Sequence, residues 1–103
     1  MKIVLSDKFG NELERILNFI TQDSLSRAIE FNDTLYDKIL EIRSRPYSFR
    51  KNKLLKREDT RDLIFKGYVI VFCIKPDYIK ILSIYKHNLP GLLNDWHRFS
   101  ASS

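Results

Sequence analysis

The sequence predicts an α+β domain in the order β-α-α-β-β-β, a helical hairpin packed on a small antiparallel sheet. Three observations predict it. Apolar residues recur at helical spacing through the first part of the chain. From Asp62 to His87 the apolar period becomes that of strands. Between the two regions lies RSRPYSFRKNKLLKR, residues 43–57, where Pro46 forbids the helix from continuing.

The elements follow in order. Lys2 to Leu5 reads as a short strand, and Ser6 or Asp7 offers a side-chain oxygen to cap a helix behind it. Phe9, Leu13, Ile16, Leu17 and Ile20 then make one apolar stripe. Thr21 to Ser24 breaks the stripe and supplies a new cap. A second helix places Leu25, Ala28, Ile29, Leu35, Ile39 and Ile42 on one side, with Arg43 in its last turn, where a cation suits the helix dipole. Leu54-Leu55 is expected in the strand that opens the sheet. Lys66-Gly67 and Pro76-Asp77 are turn signals on either side of Tyr68 to Ile74. That segment is apolar on both alternating faces and is therefore expected in the sheet centre. Ile79, Ile81, Leu82 and Ile84 carry the next strand, and a short C-terminal helix is expected after Pro90. The final Ser100 to Ser103 is expected to be a mobile tail.

At 103 residues the chain is read as a single domain, 1–103. Its 44% hydrophobic and 30% charged residues are ordinary for a globular protein, and its three glycines and three prolines are too few for a low-complexity or linker class. A single cysteine, Cys73, excludes an internal disulfide and fits a reducing compartment; it lies in the most apolar strand and is expected in the core. No apolar run is long enough to span a bilayer, and MKIVLSDKFG does not read as a signal peptide. The cytoplasm is the expected location. No two histidines, cysteines or carboxylates have metal-ligand spacing, so neither metal nor cofactor is expected. The net charge of +5 favours an anionic partner, either nucleic acid or an acidic protein. Residues 43–57 hold seven cations and no acid. Of these, Arg45, Arg50, Lys51, Lys53, Lys56 and Arg57 form the candidate binding patch.

The helix end Pro46-x-Ser48-x-Arg50, the run R-D-L-I-F-K-G-Y from Arg61 to Tyr68, and the strand Ile79-x-Ile81-Leu82-x-Ile84 together resemble the RelE/ParE superfamily of bacterial toxins. ParE-like members are the most similar. The resemblance extends from about Lys2 to His87. It implies the toxin of a type II toxin–antitoxin pair, a growth inhibitor neutralised by a cognate antitoxin. For ParE-like members it implies action on DNA gyrase without catalysis. For RelE-like members it implies metal-free cleavage of messenger RNA on the ribosome. An attenuated toxin is the third reading.

The cleavage reading needs an acid, a base and cations around the transition state. Its candidates here are Lys51, Lys53, Lys56, Arg57 and Arg61 as cations, and His87, Tyr85 and His97 as acid–base groups. RelE-like chains place an arginine-rich segment and a tyrosine after the last strand. This chain has KHNLPGLLNDWHRF there and no tyrosine beyond Tyr85. Neither a membrane nor a small-molecule substrate is expected.

Overall fold

The computed structural model describes residues 1–86. His87, His97, the helix expected after Pro90 and the 100–103 tail lie outside the described residues. In chain order the elements are β1 (Lys2–Leu5), α1 (Asp7–Asp23), α2 (Leu25–Glu41), a 3-10 turn (Pro46–Ser48), β2 (Arg50–Lys51), β3 (Thr60–Phe65), β4 (Tyr68–Ile74) and β5 (Tyr78–Lys86). The strands form one sheet ordered β1-β5-β4-β3-β2, with the helical hairpin packed on it. This is the expected α+β architecture. The sheet is mixed, however: β2 to β5 pair antiparallel, whereas β1 lies parallel to β5, with Lys2 opposite Tyr78 and Leu5 opposite Ile81. The two helices lead the chain away from β1, which closes the far edge beside the last strand.

Both helices start at the serines that the sequence offers. The Ser6 hydroxyl accepts from the Phe9 amide at 3.0 Å, and the Ser24 hydroxyl from the Arg27 amide at 3.2 Å. Pro46 begins the 3-10 turn, not the end of α2. That helix stops at Glu41 with Ile42 as cap, so Arg43 lies beyond it and Lys38 is the cation of its last turn.

The core joins Phe9 and Leu13 of α1 with Phe31, Leu35, Ile39 and Ile42 of the α2 region. They pack on Leu63, Phe65, Ile70, Phe72, Ile74, Ile79, Ile81 and Ile84 of the sheet. Phe31 meets Phe65 and Tyr68 edge to face, at centroid distances of 5.3 and 5.6 Å. Two residues expected inside are not: Leu25 and Ile29 are 63% and 53% exposed. An α-helix turns by roughly 100° per residue, so Ile29 points well away from a face centred on Leu35 and Ile39. Phe31 fills that face instead.

The Lys66-Gly67 turn closes the β3–β4 hairpin with Phe65 opposite Tyr68. Both turn residues have positive φ, 47° and 85°, as a two-residue turn matched to strand twist requires. On β5 the pairing jumps: Val71 faces Ser83, but Phe72 faces Ile81, leaving Leu82 as an extra residue. This bulge explains why the core-facing residues step from Ile81 to Ile84 and not to Ser83.

Beyond Ile81, β5 has no β1 partner, and α1 supplies the missing bonds. The Ser6 hydroxyl donates to the Leu82 carbonyl at 2.9 Å. One oxygen of Glu12 accepts from both the Ile84 amide and the Ser83 hydroxyl at 2.9 Å. The other pairs with Lys8. Burial pushes the Glu12 carboxyl up, yet the bonds from Lys8, Ile84 and Ser83 outweigh it and hold its pKa below the ordinary value.

Two outcomes follow for stability. Glu12→Ala removes the acceptor of a strand amide, and urea unfolding is expected to lose about 1–3 kcal/mol. Because the folded pKa is depressed, the Glu12 contribution is fully present above the ordinary glutamate value of 4.5 and fades as pH falls below it. Glu12→Gln is expected to flatten that part of the acid limb, read from unfolding curves at a series of pH values.

Candidate functional site

The cationic stretch folds as a rim along the β2–β3 edge, and three residues shape it. The first is Asn52, buried at 3% exposure directly after β2. Its side-chain oxygen accepts from the amides of Leu54 and Leu55 at 3.0 and 2.9 Å, and its amide group donates to Asp62 at 2.8 Å. Its backbone bonds Thr60 and Lys56 as well. An asparagine that takes two following amides forms a tight local turn, and Lys56 completes this one at a φ of 51°. Leu54-Leu55 is therefore a turn and not the strand expected. The amides that would enter a ladder are already bound to Asn52, and the strand at this edge is Arg50–Lys51.

The second and third are neighbours on β3. Asp62 is buried and accepts from Asn52 and, at 3.3 Å, from Arg50. Arg61 is buried at 7% exposure. It donates to the carbonyls of Tyr47 and Phe49 at 2.9 and 2.8 Å, to the Glu58 carbonyl at 2.9 Å and to the Glu58 carboxylate at 2.9 Å. Four of its five N–H groups are thus spent inside the chain. Its guanidinium also stacks over the Tyr47 ring at 5.1 Å. Arg61 is a clamp that fixes the 3-10 turn to the sheet.

The other candidates divide into paired and unpaired groups. Arg50 pairs with Asp62, and Lys51 with Glu58 at 2.8 Å. Arg57 grips both oxygens of Asp59, at 3.0 and 2.8 Å. That contact, against an opposing desolvation and with help from the Thr60 hydroxyl, holds the Asp59 carboxyl at about 2. The Lys51 contact likewise lowers the Glu58 carboxyl. Arg45, Lys53 and Lys56 are exposed and have no carboxylate partner among the described residues. The run with no acid in the sequence acquires its counter-charges from Glu58, Asp59 and Asp62, immediately downstream.

Tyr85 lies on the opposite side of the sheet from the helices. With Leu54, Leu55, Val71 and Leu82 it lines a groove of about 290 Å³ between the turn and β5. Desolvation, then the nearby Asp62 charge, pushes its hydroxyl above the ordinary value, while Arg50 pulls slightly the other way. A tyrosine so placed keeps its proton at neutral pH. Among the described residues, no three histidine, cysteine, aspartate or glutamate side chains converge as metal ligands would.

A second surface lies at the far end of the hairpin. Leu17, Leu25, Ala28 and Ile29 line a groove of about 240 Å³ between the helices. Phe19, on another side of α1, is 72% exposed and lines a separate depression with Ile20, Asp23 and Arg27. No described helix is long and apolar enough to cross a membrane.

Comparisons with known proteins agree with this architecture. The model of the ParE toxin family, "ParE toxin of type II toxin-antitoxin system, parDE", matches residues 3–88. The fold is similar to a solved structure of the chromosomal ParDE toxin–antitoxin system from P. aeruginosa. That match has a TM-score of 0.69 at 15% identity, covering 84% of this chain and 95% of that one. A conserved hypothetical protein from Helicobacter pylori, solved in solution, matches with a TM-score of 0.48 at 16% identity, covering 84% and 94%. A comparison with curated proteins finds no match. With its family signature running from β1 through the whole of β5, the chain belongs to the ParE toxin family of type II toxin–antitoxin systems.

Proposed function

We propose that this chain arrests growth in the cytoplasm by binding DNA gyrase, without catalysis of its own, and that a cognate antitoxin holds it inactive. The observation that carries the first half is the commitment of three of the five candidate cations, Lys51, Arg57 and Arg61. Transition-state stabilisation on a phosphate needs donors aimed at empty space. Arg61 aims its donors at Tyr47, Phe49 and Glu58, while Arg50, Lys51 and Arg57 each face a carboxylate. A rim of mixed charge suits recognition of a protein, where paired charges set register and partner choice. The antitoxin reading rests on the hairpin groove. Its Leu25 and Ile29 side chains lie outside the core, on a surface that an amphipathic segment would cover.

Purified chain added to gyrase and relaxed plasmid is expected to block supercoiling at micromolar concentration, while messenger RNA ends mapped after induction stay unchanged. Normal supercoiling, or new ends within codons, would transfer the protein to the ribonuclease reading. Arg61→Ala is expected to cost about 2–4 kcal/mol of stability by stranding the Tyr47 and Phe49 carbonyls. Arg61→Lys is not expected to restore it, since an ammonium lacks the planar fork. Loss of RNA cleavage at unchanged stability in these variants would make Arg61 catalytic after all. Leu25→Asp with Ile29→Asp is expected to weaken antitoxin binding at least tenfold while shifting the melting temperature little, both side chains being exposed.

A further inference from the structure

The turn after β2 presents Leu54 at 83% exposure and Leu55 at 53%. An exposed leucine alone is ordinary. This pair is different because its backbone is held rigid. Asn52 binds both leucine amides and is itself buried against Asp62. The leucines are flanked by Lys53 and Lys56, neither paired with a carboxylate among the described residues. Concave surface lies on both sides: the groove toward β5, and a second of about 450 Å³ lined by Lys51, Lys53 and Lys56. A rigid apolar knob between two free ammonium groups loses little conformational entropy when it docks.

We propose that Lys53-Leu54-Leu55-Lys56 is a docking finger whose leading leucine enters an apolar recess ringed by carboxylates on a folded protein target. Charge complementarity selects that occupant: the two free lysines seek anions, and the leucines between them seek an apolar surface. A nucleic-acid backbone would satisfy the lysines but leave Leu54 in contact with charge. The inference rests on the reading of this chain as a protein-directed toxin and names the part of the rim that makes contact.

The test uses the full chain with purified gyrase as the probe, and growth on induction without antitoxin. Leu54→Ser leaves the Asn52 turn intact, because that turn uses only backbone amides, so the melting temperature should hold. It is expected to weaken gyrase binding roughly ten- to a hundredfold, the equivalent of leaving one leucine unburied, equally in low and high salt. Leu54→Met should recover most of the loss. Lys53→Glu with Lys56→Glu should weaken binding strongly at low salt and less as salt rises. Wild-type affinity and growth arrest in Leu54→Ser would overturn the finger and leave the gyrase reading standing. If the wild type arrests growth without binding gyrase, the gyrase reading fails, and growth alone decides: arrest lost in Leu54→Ser and regained in Leu54→Met supports the finger, and arrest unchanged overturns it. Salt-steep binding to duplex DNA or messenger RNA that ignores Leu54, or a wild type that neither arrests growth nor binds gyrase, would overturn it as well.

Discussion

A sheet edge two residues long cannot hold the chain that enters and leaves it. β2 gives the segment from Pro46 to Arg57 very little backbone pairing, yet that segment carries five of the chain's 18 lysines and arginines. Two adjacent residues of β3 supply what the ladder lacks. Because successive strand residues face opposite ways, Arg61 and Asp62 reach to opposite sides of the edge. Arg61 ties down the incoming 3-10 turn through two carbonyls, and Asp62 ties down the outgoing turn through Asn52. Buried polar groups are tolerable only when their bonds are made. Here the bonds also decide where the rim stands.

The other edge obeys the same rule with different means. β1 stops at Leu5, and the bulge at Leu82 then turns β5 past it. Ser6 serves two backbones at once, capping α1 and bonding Leu82. Glu12, nearly two helical turns further on, takes the Ile84 amide. The helical hairpin is thereby fastened to the sheet by polar contacts at its base as well as by the core. Among the described residues, its far end, around Leu25 and Ile29, has no such tie, and nothing there covers its apolar groove.

Much of the fold was legible because it rests on local rules. Ser6 and Ser24 are caps wherever a helix follows them. Lys66-Gly67 demands positive φ, and a strand apolar on both faces belongs in the middle of a sheet. The parallel pairing of β1 was not legible, since four residues carry no signal for which edge they join. The bulge left a trace in the spacing Ile79, Ile81, Ile84, two and then three, that a strict alternation cannot produce. The rim was read least well. A pair of leucines resembles strand sequence, and only the preceding asparagine, a residue that binds its own downstream amides, argued for a turn. The cations looked uncompensated because the neutralising acids begin at Glu58, one residue past the basic run.

Charge counted along the chain and charge found in space therefore describe different surfaces. A stretch of seven cations suggests a phosphate-binding strip, whose affinity grows with each unpaired cation. In the folded chain Arg50, Lys51 and Arg57 each face a carboxylate at or just before β3, while Arg43, Arg45, Lys53 and Lys56 have no carboxylate partner among the described residues, the last two standing on either side of two leucines. Ion pairs at a rim add little stability of their own, so their effect here is on the potential: they interrupt the positive field between the arginines after α2 and the tip of the turn. An interrupted field, with one of its patches beside exposed apolar surface, discriminates among proteins by both charge pattern and shape. A long unpaired strip would accept any polyanion. The acids of β3 thus narrow what the rim can bind, and the same Asp62 that does so is the residue that holds the turn in place.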